Sequence, residues 1–302
     1  MCIRDRKKII MNAFVFPGQG SQKPGMGLDL YENYNDSKIY FKKANEVLNF
    51  NITELMFEGS NEDLIKTSVT QPAIFIHSVI HSLISKNFKP DAAAGHSLGE
   101  FSALSACKAI SFEDGLKLVS IRANAMQNAC EKNPGSMAAI LGIDNSIIEN
   151  VCSNINKIVK PANYNCPGQL VISGEIDAVK IACEELTNLG AKRAIILPVS
   201  GAFHSELMSS AVKELEHSIN QTDFNNPVCP IYQNYNAKPE TDKESIKRNL
   251  LLQLTSPVLW SQSVNRMIKD GYKNFYELGP GNTLQGLIRK IDSEATTEKL
   301  EI

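Results

Sequence analysis

A chain of 302 residues, with 43% hydrophobic and 21% charged side chains, has ordinary globular composition and enough length for one large domain or two modest ones. Its formal net charge of -2 argues against a general nucleic-acid binder, and no apolar run is long enough to span a bilayer. The seven cysteines, at positions 2, 107, 130, 152, 166, 183 and 229, include no CxxC pair and are odd in number, so they read as reduced thiols of a cytoplasmic protein.

The opening MCIRDRKKII has basic residues before a short apolar run, the outline of a signal peptide, but it leads into FPGQGSQ without a small-residue cleavage site. Met11 reads as the start and residues 1–10 as an extension. Asn12 to Phe16 (NAFVF) is a short apolar strand, followed by the glycine-rich loop PGQGSQKPGMG. Helical patterns come next at 36–48 and 71–87, then a strand ending in AAAGHS, then helices at 98–109 and 113–130. Strand, glycine turn and helix in alternation indicate an α/β core with a parallel sheet.

The pattern changes after Asn133. SMAAILGI, IVKPANYN, QLVISG and AKRAIILPV read as strands, with helices at DNSIIENVCSNIN and EIDAVKIACEELTNLG. That order, βαββαβ, is the ferredoxin-like arrangement, and it predicts a small domain at 131–200 inserted into a large one made of 11–130 and 201–302. The large domain resumes with helix 206–220, strand CPIYQN, and helices at 243–254 and 261–271. It ends on the strand NFYELGPG and the helix TLQGLIRKI.

In GHSLG, Ser97 sits at the centre of a GxSxG pattern between a strand and a helix. A tight turn there needs small neighbours, which Gly95 and Gly99 supply, and it pushes the hydroxyl out at a helix N-terminus. The N–H of Leu98 is then placed to donate to an oxyanion, and Gln19, after Gly18 in the first glycine loop, offers a second such donor. The bland alternative is a serine that only caps a helix.

A serine nucleophile needs a base. Of five histidines, His77 and His81 lie four apart on a helix but lack the carboxylate and third ligand of a metal site. His96 neighbours the serine and should point to the opposite face, propping the turn from behind. His217 lies in a charged helical stretch, which leaves His204, at a loop position in PVSGAFHS. Glu206 and Glu277 have no clear claim to orient its ring, and a neutral carbonyl would serve as well as a carboxylate. Arg122 stands among Leu118, Val119 and Ile121 rather than in a charged run, and a guanidinium in a pocket there would grip a carboxylate through two parallel hydrogen bonds.

Together, FVFPGQGSQ, TQPA, AGHSLGE, Arg122, NYNCPGQLVISG, PVSGAFHS, QLTSPVLW and ELGPG resemble the malonyl-CoA:acyl carrier protein transacylases, from Asn12 to about Ile291. The resemblance implies an α/β-hydrolase-like large domain with the ferredoxin-like insert. It also implies Ser97 as the acylated nucleophile, His204 as the general base and Arg122 as the malonyl-binding residue. Gln19 and Leu98 match the oxyanion-hole donors, and Gln253 matches the position whose carbonyl orients the histidine. No cofactor or metal is implied; malonyl-CoA and acyl carrier protein are the expected partners of a cytoplasmic monomer in fatty-acid synthesis. The stretch at 1–10 is not required by the family pattern. A serine thioesterase or esterase, an acyltransferase of polyketide synthesis and a non-catalytic binding module are the rival readings.

Overall fold

The computed structural model describes residues 11–199 and 201–302; the expected extension at 1–10 lies outside them. The chain opens on β1 (Asn12–Phe16) and continues through α1 (Leu28–Asn33), α2 (Lys38–Leu48), α3 (Ile52–Glu58), α4 (Asn61–Leu64) and α5 (Thr67–Ile84). Strand β2 (Ala92–Gly95) and helices α6 (Gly99–Ala106) and α7 (Phe112–Lys132) follow. The expected patterns at 36–48 and 71–87 are α2 and α5. Helices α1, α3 and α4 are seven residues or shorter, too short to display a helical period in the sequence.

The next stretch is β3 (Gly135–Leu141), α8 (Asn145–Asn154), β4 (Val159–Cys166), β5 (Gln169–Glu175), α9 (Ile176–Asn188) and β6 (Arg193–Ile196). It alternates as the sequence predicts. After it come α10 (Ser209–Gln221), β7 (Ile231–Gln233), β8 (Lys238–Glu240), α11 (Lys243–Gln253), α12 (Trp260–Lys269), β9 (Asn274–Glu277), α13 (Thr283–Ile291) and β10 (Thr296–Lys299). The expectation that the last element is the helix at 283–291 is therefore corrected by β10. Its TTEK is polar and largely exposed, so an edge strand held by backbone bonds to β9 left no hydrophobic signal.

The architecture is mixed α/β with two sheets. Six strands form the larger, in the order β10-β9-β1-β2-β7-β8, parallel except for the hairpin of β7 with β8. Alternate residues of β1 feed two cores. Phe14 and Phe16 pack with Phe75, Phe101 and Leu116 on one face, and Ala13 and Val15 with Val264, Met267 and Ile288 on the other. Both faces are covered by helices, which is why NAFVF is apolar at successive positions. In register, Phe16 lies opposite Gly95 and Val15 opposite Glu277. The loops after β1, β2 and β9 therefore leave from one edge, the carboxyl edge where open α/β sheets build their sites.

The smaller sheet is antiparallel, in the order β4-β5-β3-β6. Ala138, Ile140, Leu170 and Ile172 face α8 and α9 and form a separate core with Val151, Val179 and Leu186. Their neighbours Met137, Ala139 and Val171 point the other way, into a cavity shared with the larger sheet's loops. Backbone bonds from Tyr164 N–H to the Val258 carbonyl (2.9 Å) and from Val258 N–H to the Ala162 carbonyl (2.8 Å) tie β4 to the segment after α11. Among the described residues no helix is long and apolar enough to cross a membrane.

Candidate active site

The turn from β2 into α6 leaves no room for side chains on its flanks. A β-carbon on Gly95 would lie 1.8 Å from the Gly99 carbonyl carbon, and one on Gly99 would lie 2.1 Å from the Phe16 carbonyl oxygen. Between them Ser97 takes a left-handed backbone, φ 53. An L-residue in that region costs about 1–2 kcal/mol, so the surrounding hydrogen bonds must hold it there.

The Ser97 hydroxyl lies 2.9 Å from Nε2 of His204, a residue 107 positions away in sequence. His204 also has a left-handed backbone, φ 61, and its ring is almost fully buried. Its Nδ1 stands 2.9 Å from the main-chain carbonyl of Gln253 at the end of α11. A carbonyl only accepts, so Nδ1 carries the proton and Nε2 is left as the acceptor facing the serine hydroxyl. Burial, reinforced by the Arg122 charge, pulls the imidazole down to about 3, so the ring is neutral at physiological pH.

Arg122 is 1% exposed, on the buried face of α7. One terminal nitrogen donates to the Gln71 side-chain carbonyl at 2.6 Å. The other reaches the Ser97 hydroxyl at 3.0 Å and the Gln253 side-chain carbonyl at 3.2 Å. Its Nε has no partner among the described residues. Burial lowers the guanidinium to about 10, against a raising effect of Glu100, so it stays charged. A serine, a neutral imidazole and a buried cation thus converge on one hydroxyl oxygen. That set can acylate a serine with a substrate that carries its own anion.

Residues 13–301 match the family model described as an acyl transferase domain. The malonyl CoA-acyl carrier protein transacylase of Staphylococcus aureus (strain MRSA252) is 42% identical over 292 residues, 96% of this chain and 95% of the relative. The chain belongs to the malonyl CoA-acyl carrier protein transacylase family. The protein of that name from Bacillus subtilis (strain 168) is 42% identical over 290 residues, covering 94% of this chain and 92% of the relative. Among solved structures, an acyl carrier protein S-malonyltransferase from Vibrio cholerae superposes with a TM-score of 0.92 at 40% identity, covering 96% of each chain. A malonyl-transacylase solved in complex with a type II PKS acyl-carrier protein gives 0.91 at 37% identity, covering 95% of this chain and 94% of its own.

Two further predicted site residues, Gln19 and Leu98, fall around the same cavity, of about 300 Å³. Gln19, Leu98, Ser97, Arg122 and His204 all line it, with Met126, Val199 and Phe203 among its apolar walls. The N–H groups of Gln19 and Leu98 are not engaged in a hydrogen bond among the described residues. Gln253 does more than its carbonyl suggests: its side-chain amide also donates to the Ser97 carbonyl at 3.1 Å.

Of the remaining histidines and acids, His96 lines the cavity as well, against the expectation that it faces away from Ser97. His96 does not bond Ser97; its Nε2 lies 2.9 Å from the Asn165 side-chain oxygen and its ring tilts against Trp260. His77 and His81 are buried on α5, with the His81 Nε2 donating to the Leu300 carbonyl at 2.9 Å, and no metal-binding cluster occurs among the described residues. His217 is exposed. Glu206 pairs with Lys160, and Glu277 accepts the Leu284 and Gln285 N–H groups at 3.1 Å each.

Three polar residues packed around the site escaped the residue-by-residue reading. Gln71 holds Arg122. Asn234 contacts the elbow directly, accepting the Ser97 N–H at 2.6 Å. Glu100 is completely buried, and burial pushes its carboxyl up to about 8. Gln71 stands in TQPA and Glu100 in GHSLGE, both within stretches that carry the family resemblance, but nothing in one sequence marks them as buried polar residues.

Proposed function

We propose that this protein moves a malonyl group from malonyl-CoA to the pantetheine thiol of acyl carrier protein, through an ester on Ser97, in fatty-acid synthesis. The observation that carries this reading is the Arg122 nitrogen 3.0 Å from the Ser97 hydroxyl. A hydrolase of simple esters has no use for a buried guanidinium beside its nucleophile, whereas a malonyl group presents a carboxylate two carbons from the reacting carbonyl.

His204 takes the Ser97 proton on Nε2 while its Nδ1–H stays bonded to the Gln253 carbonyl. The serine oxygen attacks the thioester carbonyl, and the Leu98 and Gln19 N–H groups receive the oxyanion. CoA thiol leaves with the proton from the imidazolium, and the malonyl carboxylate rests on Arg122. The carrier's thiol then attacks the ester, its proton passing to His204 and on to the departing serine oxygen. No metal or cofactor is needed for this sequence; each proton has a named carrier.

The same reading assigns the larger sheet and its helices (11–130 and 201–302) to an α/β-hydrolase-like domain. The small sheet at 131–200 is assigned to a ferredoxin-like insert, supported by its β4-β5-β3-β6 order. The protein is read as a cytoplasmic monomer that engages neither nucleic acid nor membrane. The test is intact-protein mass measurement after mixing with malonyl-CoA. A single malonyl adduct on the wild type, absent from Ser97→Ala and removed by an acceptor thiol, is expected. A wild type that turns over malonyl-CoA without any adduct, or a Ser97→Ala protein that still acquires one, would overturn the assignment.

A further inference from the structure

The strained elbow raises the question of what keeps Ser97 in its left-handed backbone. Two of the groups around it belong to neither strand nor helix ladder: the Gly95 carbonyl at the end of β2 and the Ser97 N–H. Pairing of β2 with β7 stops at Ala94 opposite Tyr232. Asn234, just past the end of β7, takes over with its side chain. Its Oδ1 accepts the Ser97 N–H at 2.6 Å, and its Nδ2 donates to the Gly95 carbonyl at 2.7 Å. The two partners fix which end of the amide is which, since one can only donate and the other can only accept.

Asn234 is itself clamped. It is fully buried, its own N–H donates to the Glu100 carboxyl, and its Oδ1 also receives the Gln253 side-chain amide at 3.4 Å. Gln253 is the residue whose carbonyl holds His204. One amide therefore spans the nucleophile's turn and touches the residue that orients the base. It also occupies the Ser97 N–H, so the nucleophile's own amide is withheld from the oxyanion and the N–H of Leu98 is left for that task.

We infer that Asn234 is a positioning residue for the acyl transfer: its side-chain amide bridges Gly95 and Ser97 and sets the direction of the Ser97 hydroxyl toward His204. This rests on the reading of Ser97 as the acylated nucleophile. Among the twenty side chains a primary amide of this length offers one acceptor and one donor at the required separation; a carboxylate offers acceptors alone. A protonated carboxylic acid has nearly the same shape as the amide and supplies an O–H to the Gly95 carbonyl.

The experiment measures the rate of malonyl adduct formation on Ser97 by quenched-flow mass spectrometry, across malonyl-CoA concentrations. Asn234→Ala removes both bonds to the elbow and the longer one from Gln253, and is expected to slow acylation about 30-fold with the half-saturating malonyl-CoA concentration unchanged. Asn234→Asp is measured from about pH 8 to about pH 5.5 as a ratio to the wild type. That ratio is expected to rise as the pH falls, because the new carboxyl regains a donor on protonation. The titratable group in contact with residue 234 is Glu100 on α6, which accepts its N–H, with Arg122 and His204 one residue further, on Gln253; both proteins share all three, and the ratio reports the new carboxyl together with its coupling to Glu100. Wild-type acylation rates in Asn234→Ala, or a ratio that stays flat with pH in Asn234→Asp, would overturn the inference, and the second holds even if the alanine variant does not fold. Failure of the wild type to take up malonyl at all would instead sink the reading of Ser97.

Discussion

Replacing Arg122 by alanine separates carboxylate recognition from everything else the site does. In the free protein the guanidinium is held by Gln71, Gln253 and Ser97, and its Nε is unpartnered among the described residues. A bound malonyl carboxylate would receive two parallel charge-assisted bonds in a site where Arg122 is 1% exposed. Such bonds contribute roughly 1.5–3 kcal/mol each, and part of that offsets stripping water from the carboxylate. A net loss of about 3–4 kcal/mol, or roughly 10²–10³-fold in kcat/KM for malonyl-CoA, is the expected result. Acetyl-CoA has no carboxylate, so it loses only the contact of Arg122 with the Ser97 hydroxyl, about tenfold at most. Arg122→Lys keeps the charge but not the planar fork, and should fall between the two. The assay is steady-state transfer of each acyl group to a pantetheine thiol, with denaturant melts to show that each variant is folded. Equal losses for malonyl and acetyl transfer would refute the argument.

Gly95→Ala should prevent folding of the elbow, since its β-carbon would sit 1.8 Å from the Gly99 carbonyl carbon; a soluble variant with wild-type melting temperature would contradict the packing. Because His204 is held neutral down to about 3, kcat/KM should stay level as the pH falls from 7 toward 5, and an acid limb near 6.5 would contradict its burial. Stability follows a different course. Burial lowers His81 to about 4 and His204 to about 3, so below 6.5 the unfolded chain binds protons that the folded chain refuses, costing about 1.4 kcal/mol per pH unit for each. His77 and His96 act in the same direction, while Glu100 and Glu277, raised by burial, oppose them. Urea midpoints should therefore be lower at pH 5 than at pH 7, and equal midpoints would contradict this balance. Finally, the malonyl ester should persist in water and disappear quickly on addition of a thiol, a difference visible by mass.

Much of this site could be read from residue types because its chemistry constrains them. Only glycine fits at 95 and 99, so GxSxG is visible in the sequence, and a histidine in a loop between a strand and a helix is conspicuous when just five exist. The strands of the small sheet were legible as apolar runs: β3 and β5 have a core face and a cavity face, and β6 keeps Ile195 and Ile196 even though it is largely exposed. What stayed hidden were the residues that act through hydrogen bonds made at long range. Asn234 is 137 positions from Ser97, and Gln71 is 51 from Arg122. A buried amide looks like any surface amide until the fold brings its partner to it. Strand β10 was hidden differently, since backbone pairing at an edge asks nothing of its side chains.

The choice of a carbonyl in place of a carboxylate behind His204 bears on transfer against hydrolysis. In a Ser-His-Asp arrangement the carboxylate stabilises the imidazolium as it forms. Here the Gln253 carbonyl offers only a dipole, and Arg122 places a positive charge on the other side of the same hydroxyl. Burial first, then the Arg122 charge, hold the ring at about 3 against the raising effect of the Gln253 carbonyl, which makes it a weak base. A thiol, with an ordinary pKa near 8.5, gives up its proton far more readily than water at 15.7, so a weak base discriminates between them by the acidity of the acceptor. Apolar walls from Met126, Val199 and Phe203 add to this by offering an ordered water few partners. In the proposed reaction, the Arg122 charge that would bind the carboxylate would also help protect the ester from water. An adduct that vanished in buffer as fast as in thiol would show that the base is stronger than this geometry allows.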